Sequence, residues 1–423
     1  MLIQFTVGNY RSIREEQTLS MVAGNDDALA ENLIPVGNLK WPLLRQVAIY
    51  GPNAAGKSNL LLGIESLRQM VQLSAILQEG QLFPWLIPHR LDQATENSPT
   101  TFTLLFQLDE VRYQYEVAAT SQRVWHEELT VWPQGRPQTW FNRSLDVETN
   151  TDVWKLGTHF KGDRHQRNLW TSSTRGNGLF LSTAVQLNNA QLRPIFHWIT
   201  QQLIVIVPGK TDFHPALSIE RINSVNGHQQ IMAILNAADI GIERLSLKDV
   251  DNLAINSLFP VNLPPMVQGQ EMLKWRKVMA IHKRGDGSDV EFDFDEESDG
   301  TRTLFKFAGG WLKALETGAT LLVDEIDRSL HPHLARMLVQ LFRSKNNPNN
   351  AQLIFTTHDT TLLDTDLLRR DQIWFVEKDK RGATQLYSLL EFSPRKHEAV
   401  ERGYLLGRYG AIPFVTEPQW QNG

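Results

Sequence analysis

The sequence of 423 residues lacks several features that would indicate particular classes of protein. It contains no cysteine, which excludes disulfide bonds, thiolate zinc sites and cysteine nucleophiles. It has no run of about 18 apolar residues, the length needed to cross a bilayer. The opening segment Met1 to Phe5 is too short and too uncharged to begin a secretory signal. These absences predict a cytoplasmic protein without a membrane segment.

The sequence also lacks a strong excess of either charge. A net charge of −5 gives no general attraction to nucleic acid, so contact with DNA or RNA would need a local basic patch. DNA binding is therefore left open. With 41% hydrophobic and 21% charged residues, the chain can bury a large core, and its length allows two or three domains.

One segment follows the pattern of a phosphate-binding loop: a glycine, four residues, then Gly-Lys-Ser. It lies between the apolar run Val47 to Tyr50 and the helix-like run Asn59 to Gln72. In such a loop backbone N–H groups form an anion nest, Lys57 reaches the β- and γ-phosphates, and the Ser58 hydroxyl binds Mg²⁺. The sequence therefore predicts nucleoside triphosphate binding by Gly51, Pro52, Asn53, Ala54, Ala55, Gly56, Lys57, Ser58 and Asn59.

A second apolar segment, Thr320 to Val323, ends in the two carboxylates of Asp324 and Glu325. In a Walker B arrangement Asp324 holds Mg²⁺, directly or through water, and Glu325 orients and deprotonates the attacking water. An acidic pair after a buried strand is also common as a solvated strand end. Combined with the phosphate loop, the pair predicts an ATPase that uses ATP and Mg²⁺.

His358 follows a further apolar strand, Ile354 to Thr357. A lone histidine is more often a structural residue than a catalytic one. The carboxyl ends of parallel strands share one edge of a sheet, however, so this histidine is expected beside the phosphates. We therefore expect His358 to contact the γ-phosphate.

The periodicity of the chain indicates an α/β protein. Alternating segments predict an antiparallel region, and the polar, glycine-containing stretch Asn142 to Gly178 predicts a loop or lid. A polar spacer is expected over Glu15 to Asn38, helices over Leu179 to Gln202 and Gln229 to Ala238, and a loop over Asn256 to Gly269. The opening Leu2 to Tyr10 alternates and is β-rich. The segments of the predicted antiparallel hairpin or meander are Thr101 to Gln107, Val111 to Ala118 and Val124 to Trp132, with a tight turn at Asp109 and Glu110.

The C-terminal half alternates strands and helices, which predicts a largely parallel sheet covered on both faces. The predicted strands are Val278 to Lys283, Val290 to Phe294, Thr320 to Val323, Gln352 to Phe355 and Gln372 to Val376, and the predicted helices are Thr301 to Glu316 and Pro332 to Arg343.

These motifs together resemble the ABC-type ATPases of the RecF and SMC branch. The phosphate loop, Asp324 with Glu325, the turn Asp327 to Pro332, and His358 resemble that branch's Walker A, Walker B, D-loop and switch histidine. The opening Phe5 to Ile13 is similar to the branch's first strand, which implies a place for Arg11 near the phosphates. Glu297 to Thr301 occupies the position of the signature loop, although only Ser298 and Gly300 match it. The alternative is a helix cap at Ser298 or Asp299.

A narrower resemblance covers nearly the whole chain. It is to AAA-annotated, ABC-fold ATPases of the RloA and AriA kind, which are associated with anti-phage defence and work with a separately encoded effector. The segments that carry it are Phe180 to Ala184, Ala237 to Ile242, Glu297 to Thr301, Asp324 to Asp327, Arg370 to Glu377 and Gly403 to Gly410. For the closing segment, a terminal helix that simply packs on the sheet is the alternative.

The resemblance implies a P-loop NTPase of the ABC-ATPase head type, with a mixed sheet, an antiparallel β subdomain and an inserted helical region. It divides the chain into a first ATPase lobe (1–140), an insert (141–285), a second lobe (286–395) and a C-terminal tail (396–423). Two heads would pair face to face across ATP as a homo-oligomer. An effector resembling a Toprim nuclease or RloB, and a viral protein trigger, are the implied partners.

The sequence departs from the ABC-ATPase pattern at two points, and several rival functions remain open. Ala54 stands where many ABC loops have glycine, and the Q-loop glutamine is not assignable among Gln69, Gln72 and Gln81. The main rival is a RecF-like DNA-binding ATPase of repair or recombination. A nuclease with a fused Toprim domain is a second rival, but only 46 residues follow Glu377, too few for that domain. A transporter ATPase fits the split head poorly. A scaffold that binds ATP without hydrolysing it stays open.

Overall fold

The computed structural model describes residues 1–37, 39–209, 215–238, 240–249, 276–393 and 399–413. The chain divides into two compact units. The first consists of Met1–Asp212, Ala314–Asp327 and Ala335–Gly423, and the second of Phe213–Lys313 and Arg328–Leu334. The loop predicted over Asn256 to Gly269 lies outside the described residues. None of the described helices has the length and apolar character needed to span a bilayer.

The strands and helices have the following bounds. The strands are β1 (Leu2–Gly8), β2 (Gln17–Ser20), β3 (Leu33–Ile34), β4 (Leu43–Leu44), β5 (Gln46–Tyr50), β6 (Thr100–Leu108), β7 (Val111–Ala119), β8 (Val124–Trp132), β9 (Gln138–Asp146), β10 (Thr151–Leu156), β11 (Leu203–Ile206), β12 (Arg244–Asp249), β13 (Arg276–Lys283), β14 (Asp289–Asp293), β15 (Thr320–Val323), β16 (Gln352–Thr356), β17 (Ile373–Lys378) and β18 (Thr384–Ser388). The helices are α1 (Lys57–Leu73), α2 (Gln93–Glu96), α3 (Arg164–Ser173), α4 (Phe180–Gln186), α5 (Arg193–Gln201), α6 (Ala216–Ile222), α7 (Val225–Ala237), α8 (Asp299–Thr317), α9 (Pro332–Leu341) and α10 (Val400–Leu405).

A mostly parallel sheet forms the centre of the first unit, with strand order β11-β15-β16-β5-β17-β18. Its first five strands run parallel, and β18 pairs antiparallel with β17. Every residue of β11, β15, β16 and β5 is buried, which explains why these strands are continuous apolar runs in the sequence. The register pairs Val323 with Phe355 and Phe355 with Ala48, so these strands end at one edge of the sheet.

An antiparallel sheet of order β10-β9-β8-β7-β6-β1-β2 forms the other layer of this unit. The predicted turn at Asp109 and Glu110 is confirmed: both residues have positive φ, 47° and 62°, as a type I′ hairpin turn requires. The predicted mixed α/β fold with an antiparallel subdomain is therefore confirmed. The expected spacer Glu15 to Asn38 was wrong in part, because β2 lies within it and pairs with β1.

The prediction of a loop or lid over Asn142 to Gly178 was wrong. That stretch contains most of β9, all of β10 and helix α3. Alternate residues of β10 are exposed, but the apolar Val153 points outward and Asp152 points inward to the buried Arg143, so apolar and polar residues do not alternate in the sequence. The helix expected over Leu179 to Gln202 is in fact two helices, α4 and α5.

Helix α1 belongs to the core of the first unit. A Cβ added at Gly63 of this helix would lie 3.4 Å from the Val7 side chain and 3.5 Å from the Phe5 side chain. The helix therefore packs closely on β1. The buried side chain of Gln352 ties β1 to the parallel sheet, since its amide accepts from Leu2 N at 2.6 Å and donates to Leu2 O at 3.0 Å. This packing fixes the helix that begins at Lys57.

The second unit contains a three-stranded antiparallel sheet of order β12-β13-β14. The strands predicted over Val278 to Lys283 and Val290 to Phe294 exist, but the expectation that they belong to the parallel sheet was wrong. Within this unit α6 packs on α8 through Ser218, whose hydroxyl donates to Phe305 O at 2.5 Å and accepts from Gly309 N at 2.9 Å.

Candidate nucleotide-binding site

The phosphate loop connects β5 to α1 as the sequence predicts. Gly56 has φ 114° and lies so close to β18 that an added Cβ would stand 2.1 Å from the Thr384 hydroxyl. Only glycine fits this position. Because Gly56 has no side chain to cap α1, the first N–H groups of that helix are suited to an anion.

Ala54 adopts the left-handed conformation that the glycine of many ABC loops adopts easily. Its φ is 63°, where a Cβ costs roughly 1–2 kcal/mol. Ala54 and the neighbouring Asn53 are exposed, whereas Ala55 is buried. The substitution is therefore tolerated, because strain of this size is small beside the packing that holds the loop.

Lys57 is the first residue of α1, and only 6% of its surface is exposed. Its ammonium donates to Gly51 O at 2.8 Å and Pro52 O at 3.1 Å, and it lies 3.0 Å from Nε2 of His358. Burial lowers the pKa of Lys57 from 10.5 to about 8, although the carboxylates of Asp324, Glu325 and Asp327 oppose that shift. These carboxylates therefore share the electrostatic environment of the phosphate-binding lysine.

The Walker B acids follow β15 at the same sheet edge. Asp324 is 4% exposed, and its Oδ1 accepts a hydrogen bond from the Thr356 hydroxyl at 2.6 Å. The same hydroxyl accepts from the Glu325 N–H at 2.8 Å. Thr356, at the end of β16 and completely buried, thus positions both acids. Sequence reasoning missed it, because a threonine at a strand end carries no distinctive signal.

Glu325 itself has φ 52°, a conformation that is strained for any residue with a Cβ. Two residues later, Asp327 accepts from the His358 N–H at 3.3 Å through Oδ2. Its Oδ1 is buried and has no hydrogen-bond partner within the described part of the chain. The turn after Walker B therefore connects directly to the predicted switch histidine.

His358 lies where its sequence position predicts, next to the phosphate loop. Burial lowers its pKa, and the positive charge of Lys57 lowers it further. A neutral imidazole is the form that accepts a hydrogen bond from the Lys57 ammonium. The structure therefore brings Lys57, Asp324, Glu325 and His358 together from three separate strand ends.

The donor groups fit a magnesium–triphosphate complex. Mg²⁺ prefers oxygen ligands and is usually held by one or two protein groups together with the substrate phosphates. Asp324 offers a buried carboxylate, and Ser58 offers a hydroxyl on the first turn of α1. Among the described residues no group of three or more His, Asp or Glu is arranged to hold a metal by itself.

A hydroxyl network that sequence reasoning missed supports the phosphate loop from behind. Thr384, 2% exposed on β18, donates to Ala55 O at 2.8 Å, and its hydroxyl lies 2.7 Å from that of Ser12. The Asn59 amide donates to the same Ser12 hydroxyl at 2.7 Å. Thr384 and Ser12 are thus positioning residues for the loop.

Arg11 is next to this network, and its role near the phosphates stays a prediction. Its φ is 51°, and its Nε donates to the Tyr10 hydroxyl at 3.0 Å.

The identity of the Q-loop glutamine also stays open. Gln69 donates to Glu65, Gln72 accepts from Arg68, and Gln81 accepts from Gln78 N.

Ser298 and Gly300, predicted as signature residues, belong to the second unit. The Ser298 hydroxyl accepts from the Thr301 N–H at 3.1 Å, so it caps helix α8, the alternative that the sequence offered. An added Cβ at Gly300 would stand 2.8 Å from Ser329 O. Both observations are compatible with trans contact to a nucleotide, which stays a prediction.

The closing segment packs on the parallel sheet. The Tyr404 ring lies 5.8 Å from the ring of Tyr50, the residue before the phosphate loop, and 5.4 Å from that of Phe375. Glu401 accepts from the Thr360 hydroxyl at 3.0 Å, two residues beyond His358. The C-terminal segment therefore touches both the strand that leads into the loop and the segment that follows the histidine.

The fold and the site are those of a P-loop ATPase. The chain belongs to the family described as “AAA domain, putative AbiEii toxin, Type IV TA system”, whose model matches residues 47–364. No curated protein matches the chain significantly.

Among solved structures, two SMC heads are similar. The SmcHead bound to the C-winged helix domain of ScpA has 12% identity and a TM-score of 0.41, with 93% of this chain and 99% of that chain covered. The SMC head domain from Thermotoga maritima has 12% identity and a TM-score of 0.39, with 92% and 98% covered.

Proposed function

We propose that the protein hydrolyses ATP and acts as a nucleotide-dependent switch or scaffold in anti-phage defence. The observation that carries the proposal is the convergence of Lys57, Asp324, Glu325 and His358 at one edge of the parallel sheet. The family description, which names an AbiEii toxin and a type IV toxin–antitoxin system, supports the defence role.

In the proposed reaction each residue has a defined task. Lys57 and the N–H groups of the loop bind the β- and γ-phosphates, and Glu325 accepts a proton from the attacking water. Magnesium, held by Ser58 and Asp324, would neutralise charge on the phosphates. His358 would exchange its contact with the Lys57 ammonium for one with the γ-phosphate. Thr356 would keep both acids oriented throughout.

The proposed switch is a homo-oligomer in which two heads pair through ATP. Ser298 and Gly300 of one head would contact the nucleotide bound by its partner. Since each γ-phosphate would then link two subunits, ATP would favour assembly and hydrolysis would release it. Turnover is expected to be slow and regulated. The assembled form would hold a separately encoded effector resembling a Toprim nuclease or RloB, which a viral protein would release or activate.

The test of the enzymatic part is the substitution Glu325→Gln. The amide cannot accept the proton from water, so turnover should fall by about 100-fold or more while ATP affinity is unchanged. Phosphate release and calorimetric titration with Mg-ATP measure the two quantities. Glu148→Gln, at an exposed glutamate, is the matched control. An unchanged rate in Glu325→Gln would remove Glu325 from the mechanism.

The test of the switch is nucleotide-dependent assembly. Glu325→Gln with Mg-ATP should elute as a larger species than the same variant with Mg-ADP, because ATP would persist at the interface. A second substitution, Ser298→Arg, should prevent assembly without affecting ATP binding to the monomer. Capture of the product of a neighbouring reading frame by the ATP-bound form would identify the effector, whereas identical elution in both nucleotides would contradict the switch.

A further inference from the structure

One region of the first unit carries a charge opposite to that of the whole chain. Residues 153–202 contain six lysines and arginines against one acid, Asp163, whereas the chain as a whole has a net charge of −5. Five of the six are exposed, and Arg167 is half-buried. Lys155 lies on the face of β10 opposite to Trp154, whose ring packs on Phe180. We call the other five the basic surface: Lys161, Arg164, Arg167, Arg175 and Arg193.

The charges of the basic surface are not neutralised locally. Within the described part of the chain, none of these five side chains lies at ion-pair distance from a carboxylate. Asp163 caps helix α3, accepting from the Gln166 N–H at 2.8 Å. The nearby Asp152 is already paired with Arg123 and Arg143. Arg167 donates to Phe160 O and Arg175 to Leu77 O, but a carbonyl does not neutralise a guanidinium, so the positive charges remain available to an external anion.

Three members of the basic surface, Lys161, Arg164 and Arg193, are brought together by the fold. The Lys161 N–H donates to the Gln191 side chain at 2.7 Å, and Gln191 also donates to His159 O at 3.1 Å. These bonds bring the Lys161 segment beside the residues that precede Arg193. Arg164 follows on the first turn of α3. Three cations thus lie around one end of that helix.

Helix α3 is held to the core by a single buried residue. The Trp170 ring lies 5.7 Å from that of Phe160, and its indole N–H donates to Leu187 O at 3.3 Å. The remaining surface of the helix is mostly polar and exposed, and Leu169 is its one exposed apolar residue. The exposed polar residues are Arg164, His165, Gln166, Asn168, Ser172 and Ser173.

We propose that the basic surface binds the phosphate backbone of a nucleic acid duplex. Exposed Arg and Lys interleaved with Gln, Asn and Ser are the side chains that contact phosphates. A protein partner would need an apolar or aromatic centre, whereas helix α3 exposes a single apolar side chain, Leu169. Binding of single strands relies on stacking, yet no Phe, Trp or Tyr between 153 and 202 is exposed. These features favour a duplex backbone recognised without base sequence.

The salt dependence of binding tests this proposal. The full-length protein is titrated into a labelled duplex DNA of random sequence, and anisotropy is followed from low to physiological salt. With about three to five phosphate contacts, the plot of log K against log salt should have a slope of about −3 to −4.5. Duplex RNA, single-stranded DNA and poly-glutamate are the comparison ligands.

The double variant Arg164→Ala/Arg193→Ala should make that slope less negative by about two. The matched control is Lys345→Ala/Arg136→Ala, which removes two exposed cations elsewhere. Both variants should keep the ATPase rate and melting temperature of the parent. A slope that is identical in the Arg164/Arg193 variant and the parent, or tighter binding to poly-glutamate than to duplex DNA, would overturn the proposal. The second result would assign the surface to an acidic protein.

Discussion

The ammonium nitrogen of Lys57 lies 3.0 Å from Nε2 of His358, although the two residues are 301 positions apart in the chain. Lys57 also donates to the carbonyls of Gly51 and Pro52. An ammonium has three N–H donors, so these contacts occupy all of them. A triphosphate that binds Lys57 must therefore replace at least one, which couples phosphate binding to the position of His358.

This coupling predicts that ATP binding takes up protons in mildly alkaline solution. The pKa of Lys57 is about 8, and the negative phosphates should raise it on binding. Between pH 8 and 9 ATP affinity should therefore fall as pH rises, by up to about tenfold per pH unit. Calorimetry at pH 8.5 in buffers of different ionisation enthalpy measures the uptake.

The control for this prediction is Lys57→Arg, whose guanidinium stays charged, so its ATP affinity should not depend on pH over this range. Absence of proton uptake by the parent would contradict the prediction.

The same pKa shift affects folding. Because the pKa of Lys57 is lower in the folded protein than the unfolded value of 10.5, its contribution to stability should rise with pH from about 8 to 10.5.

Thr356 offers a test of how the two acids are positioned. Thr356→Val removes the donor to Asp324 and the acceptor for the Glu325 N–H while keeping the shape of the side chain. Buried polar groups left without partners cost about 1–3 kcal/mol, so both the unfolding free energy and the ATPase rate should fall. Thr356→Ser, which keeps the hydroxyl, should recover most of the rate. Equal rates for the two variants would show that the hydroxyl is unimportant.

Thr384 should affect nucleotide affinity more than the chemical step. Thr384→Val removes the hydrogen bond to Ala55 O, which supports the phosphate loop from β18. We expect KM for ATP to rise about tenfold, equivalent to the roughly 1.4 kcal/mol that a buried hydrogen bond contributes, with a smaller effect on kcat. Thr384→Ser should restore KM. A fall in kcat at unchanged KM would argue against a positioning role.

Glu127 should stabilise the first unit independently of the nucleotide site. This fully buried residue of β8 accepts from Phe180 N at 2.6 Å, from Leu181 N at 2.9 Å and from the Tyr115 hydroxyl at 2.8 Å, so it caps α4. Glu127→Gln replaces one carboxylate oxygen, an acceptor, with an amide NH₂ donor that faces other N–H donors. The substitution also removes the negative charge that compensates the buried positive charge of Arg143. The unfolding free energy should fall by about 2–4 kcal/mol.

Chemical denaturation measures this effect, with Glu128→Gln as the matched control. Glu128 is the next residue on the same strand, points to the opposite face and lies across from Glu116. Glu128 accepts from the Asn142 amide and from the Thr130 hydroxyl, but it is half-exposed, so water can replace an acceptor that the substitution removes. Because the substitution also relieves the like-charge pair, the unfolding free energy should change much less than in Glu127→Gln. Similar losses in both variants would show that the buried contacts of Glu127 have no special effect.

Much of the site could be predicted because its functional residues lie in short contiguous segments of the sequence. The phosphate loop needs glycine, lysine and serine at fixed spacing, and the acids at 324 and 325 directly follow an apolar strand. Parallel strands with continuous apolar runs indicate a shared sheet edge, which correctly placed His358 beside Lys57. The roles assigned to these residues, and the domain boundaries, stay predictions.

The positioning residues could not be predicted, because they act through contacts that only the folded chain creates. Thr384 reaches Ala55 across 329 positions, and a threonine on a strand is ordinary in a sequence. The error over Asn142 to Gly178 has a related cause. There Val153 points outward and Asp152 inward on β10, and α3 is held by Trp170 alone, so the apolar residues do not follow a clear period.

The packing of Tyr404 on Tyr50 affects how shortened forms of the protein should be interpreted. Removal of the chain from residue 399 onward would expose the rings of Tyr50 and Phe375 to water, directly under the start of the phosphate loop. Such a deletion would weaken nucleotide binding even if the removed segment never touches ATP. Mapping an effector contact on this segment therefore calls for single substitutions at exposed positions such as Leu405 and Leu406, which leave the aromatic stack intact.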